Sequence, residues 1–135
     1  MKAIRILAGI LLAVLVAAPV AAKEYLVDPE PIPVPQNLDD AKIEQAVKAS
    51  LVARTWTVDA VKPGHIDASL HLRKHVANIA IDWAGGRAVT IKYVSSENLD
   101  FKEKRGKRYI HGNYLGWIEY LKQDIQRNLQ NAAVL

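Results

Sequence analysis

Between residues 66 and 83 apolar side chains alternate with others, and the alternation changes phase once. Ile66, Ala68, Leu70 and Leu72 share one parity; Ala77, Ile79, Ile81 and Trp83 share the other. Successive strand residues point to opposite faces, so each set describes a β-strand with one buried face. A change of phase requires an inserted residue or a reversal around residues 73–75. Eighteen residues of unbroken strand would also be unusually long. Residues 73–75 contain neither Gly nor Asn, the usual tight-turn residues, so a β-bulge is the expectation there.

Further strands flank this region. Residues 55–61 are rich in β-branched and aromatic side chains and end at Pro63-Gly64, which reads as a turn. Gly85 and Gly86 supply a hairpin before a return strand at 88–94, where Val89, Ile91 and Tyr93 share a face. A smaller hairpin follows, with Leu99 and Phe101 on one arm, residues 108–110 on the other and Gly106 near the tip. Two amphipathic helices bracket these strands. Asn37 is the expected N-cap of the first, which carries Ile43, Val47 and Leu51 four residues apart and ends near Arg54. Asn113 is the expected cap of the second, where Tyr114, Trp117, Ile118, Leu121, Ile125 and Leu129 form one stripe and Glu119, Lys122, Asp124 and Arg127 lie off it. The economical packing is an α+β two-layer sandwich, a three- to four-stranded antiparallel meander with both helices on one face.

The N-terminus is of another kind. Lys2 and Arg5 precede an apolar run at 6–16, Pro19 breaks it, and Val20-Ala21-Ala22 supplies small residues. That order is the pattern of a cleavable secretory signal over residues 1–22, with cleavage before Lys23. The apolar core, taken from Ile6 to Ala18, covers 13 residues and is short of the roughly 20 a membrane-spanning helix requires. The chain has no cysteine, which rules out disulfides and acylation on a cysteine. The destination expected is the bacterial periplasm or the exterior. Residues 28–36 alternate proline with other residues, so 23–37 reads as a stiff proline-rich leader, a spacer ahead of a single domain at 38–135.

Charge narrows the choice of partners. Of the 18 Lys and Arg, Lys2 and Arg5 leave with the signal, so 16 face 14 Asp and Glu. The excess is local. Lys102, Lys104, Arg105, Lys107 and Arg108 against Asp100 and Glu103 give residues 99–111 a net +3, while the rest of the exported chain carries −1. Such a tip attracts an anionic lipid or glycan, or an acidic envelope protein; its blander role is to keep a small basic protein soluble. Nucleic acid is the less suited partner, since only Phe101 and Tyr109 interleave with the charges.

A second constellation is Arg73, His75, Asn98, His111 and Tyr114. Arg73 and His75 share the parity of Ile79 and Trp83, and His111 and Tyr114 bracket the start of the last helix, whose amides favour an anion. These residues describe either a small anion pocket or a hydrogen-bonded plug at the sheet rim, the simpler expectation. His71 and His75 lie four apart on strand-like sequence, about 13 Å, too far to share a metal, so no metal or cofactor is expected. No phosphate loop, nucleophile elbow or HExxH motif is present. The residues therefore favour a non-enzymatic binding module; the alternative is a small hydrolase pairing His75 with His111.

The pattern Gly64-x-Ile66-x-Ala68-x-Leu70, Arg73-x-His75-x-Ala77, Ser96-x-Asn98-Leu99 and Ile110-His111-x-x-Tyr114-x-x-Trp117 resembles a family of small exported proteins of Gram-negative bacteria. The resemblance covers most of residues 38–129 and implies a compartment and an α-β-β-β-α order, with no activity attached. Many members look like lipoproteins, and this chain departs from them in having no cysteine.

Overall fold

The computed structural model describes residues 23–134, and the signal segment 1–22 lies outside the described residues. The chain forms β1 (Lys23–Tyr25), β2 (Ile32–Pro33), α1 (Asp40–Ala53), β3 (Thr57–Lys62), β4 (His65–Leu72), β5 (His75–Asp82), β6 (Ala88–Glu97), β7 (Lys102–Lys104), β8 (Lys107–His111) and α2 (Gly112–Ala133). The α+β sandwich is as the periodicities predict. Strands β3 to β6 make a four-stranded antiparallel meander, which β2 extends to five in the order β2-β6-β5-β4-β3. A second sheet of three strands runs β1-β8-β7.

The inner sheet face carries Ile66, Ala68, Leu70, Ala77, Ile79, Ile81, Val89 and Ile91, all buried. Against it lie Ile43, Val47 and Leu51 of α1 and Tyr114, Ile118, Leu121, Ile125 and Leu129 of α2, in one continuous core. The indole of Trp83, 1 % exposed, donates to Asp40 Oδ1 at 2.6 Å and fixes the start of α1 to the end of the meander. Gly64 closes the turn before β4 with φ +69°. A Cβ there would sit 3.4 Å from the Ala84 backbone, so conformation and space both favour glycine.

Four expectations are corrected. The phase change at residues 73–75 is a hairpin: Leu72 pairs with His75 across a two-residue loop in which Arg73 takes φ 56°. A two-residue loop joins positions three apart that face the same way, so it shifts parity as a bulge would. Bulges occur instead at Asp59 in β3 and Val94 in β6, where the register slips by one. The proline-rich leader is part of the fold. Ile32 and Pro33 pair with Val89 and Ala88, and Leu26, Ile32 and Val34 are buried, each worth about 1.5–3 kcal/mol on removal from water. Its prolines are tolerated because β2 is an edge strand. Finally, the helix caps are Asp39, whose carboxylate accepts from the Lys42 amide, and His111, rather than Asn37 and Asn113.

Candidate functional site

At the rim of the meander, three of the five predicted residues meet. Asn98 and Asp100 both take left-handed backbone conformations (φ 56° and 54°) on either side of buried Leu99. This kink turns the chain from one sheet to the other. Asn98 Nδ2 donates to the Lys74 carbonyl at 2.6 Å, His75 Nδ1 donates to the Asn98 carbonyl at 2.7 Å, and the His111 amide donates to the Leu99 carbonyl at 2.8 Å. The imidazoles of His75 and His111 thereby stand 6.3 Å apart, centroid to centroid, with the Trp117 ring 6.3 Å from His75.

The partners also set the neutral tautomers. A carbonyl only accepts, so His75 carries its proton on Nδ1 and leaves Nε2 as an acceptor. His111 Nδ1 accepts the Asn113 amide at 3.1 Å as the cap of α2, so its proton is on Nε2. Tyr114 does not join them. It is 2 % exposed, edge-on to Tyr93 at 5.5 Å, and burial raises its phenol pKa well above the ordinary value. Arg73 is exposed in the β4–β5 loop. Among the described residues no three His, Asp or Glu side chains gather in a way that could hold a metal ion.

The basic hairpin is built differently. Cross-strand partners in a sheet share a face. Lys23 lies opposite His111, Tyr25 opposite Tyr109, Tyr109 opposite Lys102 and Lys104 opposite Lys107. Lys23, Tyr25, Lys102, Lys104, Lys107 and Tyr109 therefore project to one side of the β1-β8-β7 sheet. The interleaved Glu24, Glu103, Arg108 and Ile110 project to the other, where Ile110 is fully buried. Both strand carboxylates thus lie on the opposite side from the lysines. Arg108 leaves the predicted cluster: it pairs with Asp28 at 3.6 Å and lies over the Tyr93 ring. Arg105 occupies the loop between β7 and β8, beside Gly106.

The tyrosine rings of this face lean on each other at 5.0 Å and 33°, and Lys107 Nζ stands 5.5 Å over Tyr25. Side-chain contact with Lys102 and the repulsion of its like charge lower the Lys23 pKa from the ordinary lysine value, an effect Asp100 partly offsets. Two open depressions meet at Tyr109 and Lys104. One, of about 380 Å³, is lined by Lys104, Arg105, Lys107 and Tyr109; the other, of about 300 Å³, by Lys23, Lys102, Lys104 and Tyr109. Lys23 and Tyr25 were not legible as part of this group, since strand pairing alone brings them to residues more than seventy positions away.

No protein-family model, curated protein or solved structure matches this chain. Among the described residues no helix is long and apolar enough to cross a membrane.

Proposed function

We propose that the chain is a non-enzymatic binding module for an anionic ligand of the bacterial envelope, working in the periplasm or outside the cell. The Lys/Tyr face of the β1-β8-β7 sheet is its contact surface. One observation carries the reading: six basic and aromatic side chains from three strands project together, while both carboxylates of those strands project the other way. Ammonium groups held at close range on a flat surface concentrate anions, and aromatic rings between them add contact area at small entropic cost. The export pattern at 1–22 and the resemblance to small exported proteins support the compartment.

The test is an amide chemical-shift titration with inorganic pyrophosphate at low salt. Shifts are expected at residues 23, 25, 102, 104, 107 and 109, reversed by high salt and abolished in Lys102→Gln/Lys104→Gln/Lys107→Gln. Shifts spread equally over Lys62, Lys74 and Lys92 would leave the face with no special role. A second reading, a small hydrolase, draws on the 6.3 Å approach and opposite tautomers of His75 and His111, an acceptor beside a donor.

A further inference from the structure

We infer that the partner of this face is the surface of an anionic lipid bilayer, on which the β1-β8-β7 sheet lies flat with Tyr25 and Val27 at headgroup depth. The inference rests on the anion-binding reading and adds to it the source of the anion and the orientation of the molecule.

The face is one continuous surface rather than a pocket. Lys23, Lys102, Lys104 and Lys107 are exposed, and Tyr109 lies half-buried among them. Lys107 Nζ stands over the Tyr25 ring, so charge and aromatic surface mix at close range. The open depressions run into one another. Lys104 and Tyr109 are common to the two already described, and Lys107 joins the larger of them to a third, of about 350 Å³, which also holds Tyr25, Val27 and Gly106. An open relief of this kind gives a single small anion few contacts and suits many shallow ones. Asp100 precedes β7 by two residues, at the Lys23 end of the sheet, so the uncompensated charge lies at the hairpin end around Lys104 and Lys107.

Val27 gives the face its second character. It is 72 % exposed and Tyr25 57 %, while Leu26 between them is buried. The Leu26 amide donates to the Arg108 carbonyl at 2.9 Å, so the chain keeps its strand alternation past β1 and presents Tyr25 and Val27 on the lysine side. Asp28, the next residue, is drawn the other way, accepting from the Tyr93 amide and pairing with Arg108. Bare aliphatic and phenolic surface beside lysines suits a bilayer interface: the ammonium groups stay with the phosphates while the apolar groups settle between the headgroups. The choice of cation points the same way. Protein interfaces favour arginine, whose planar fork fits a fixed carboxylate, and are poor in lysine. Here the strand cations of the face are all lysines, and Arg108 is turned away to Asp28. Point charges on flexible stems suit a fluid array of headgroups.

The experiment is co-sedimentation, at low ionic strength, of the protein recovered from expression of the full chain. Vesicles of phosphatidylethanolamine with phosphatidylglycerol are compared with vesicles of phosphatidylcholine alone. Binding is expected to the first and not to the second, and high salt should release it. Each lysine near an anionic surface contributes about fivefold, so Lys102→Gln/Lys104→Gln/Lys107→Gln should weaken the partition at least about tenfold. An unchanged thermal melt checks that each variant is folded. Orientation is read with Val27→Trp and, as control, Val52→Trp, since Val52 is 66 % exposed on α1, which packs against α2 and β3. Lipids brominated in their acyl chains should quench the added fluorescence of the first variant and not of the second. Equal quenching would overturn the orientation, and a partition unchanged in the triple-lysine variant would overturn the face as the contact. Equal binding to both vesicles, or to neither, alongside the pyrophosphate shifts would overturn the anionic-bilayer assignment and leave the anion-binding reading standing. Poly-glutamate shifting the same amides while the vesicles bind nothing would give the face to an acidic protein instead. Failure of the vesicles, poly-glutamate and pyrophosphate alike would remove both readings.

Discussion

Asp124 is 4 % exposed, yet it is a carboxylate on a helix face that packs against the core. Position alone placed it off the apolar stripe of α2, facing solvent. In the fold it meets Arg54, the residue that ends α1: Arg54 Nε donates to Oδ2 at 2.6 Å, and Arg127 donates to Oδ1 at 2.7 Å. A helix periodicity contains nothing about the end of another helix, so the sequence pattern had no means of finding this pair. Nearby, Asn128 donates to Ser50 Oγ, which in turn donates to the Ala46 carbonyl, giving α1 and α2 a second polar joint. The hydrogen bonds from Arg54, followed by those from Arg127, hold the Asp124 carboxyl below its ordinary value. Asp124→Asn should therefore lower stability by about 1–3 kcal/mol at neutral pH, in the range of a charge-assisted hydrogen bond whose partners are partly solvated. Urea unfolding measures it. The deficit should shrink as the pH falls below 3.8, where the unfolded wild-type carboxyl also takes up a proton. A deficit that is the same at pH 7 and pH 3 would mean the loss is one of packing rather than charge.

At the scale of elements, what the sequence made legible follows from periodicity and what it hid follows from turns and pairing. Both helices, the β3–β4 turn at Gly64 and the glycine hairpin at Gly85-Gly86 are local signals and were readable. The β4–β5 hairpin was not, because Arg73 adopts a left-handed conformation that glycine or asparagine normally announces. The leader was hidden by its prolines, although Ile32 and Val34 share a parity and both are buried. The start of α2 bears on function as well as fold. His111 accepts the Asn113 amide through Nδ1, which spends the lone pair a catalytic base at that nitrogen would need. His111→Ala should cost about 1 kcal/mol through loss of the cap, and His111→Asn should restore most of it, since asparagine caps well. Denaturant melts of the two variants decide this; equal destabilisation would deny the capping role. The same pair separates the functional readings. His111→Asn keeps the cap and removes the imidazole, so an activated-phosphodiester hydrolysis that disappears in it while the fold survives would favour the hydrolase.

For the whole molecule, three ionising groups divide the pH axis, and their signs can be combined. His65 bridges two carboxylates on the outer face of the meander, with Nδ1 at 2.5 Å from Asp82 and Nε2 at 2.7 Å from Asp67. Asp82 first and Asp67 second raise its pKa above the ordinary 6.5. A histidine raised by folding stabilises fully below 6.5, and that contribution is lost as the pH climbs through the folded value. Asp124 has the opposite sign: its contribution is present above 3.8 and lost as the pH falls through its lowered folded value. Tyr114 sets the alkaline limit. Its burial disfavours the phenolate, so above pH 10 the unfolded chain loses a proton that the folded one retains, and stability falls. The stability curve should thus be flat between about pH 4 and 6.5, step down above 6.5 and fall again above 10. The step belongs to one partly exposed ion bridge and should be on the order of 1 kcal/mol or less. Thermal melts across this range should show it in the wild type and not in His65→Gln. A step of the same size in that variant would show that it does not arise from the His65 bridge.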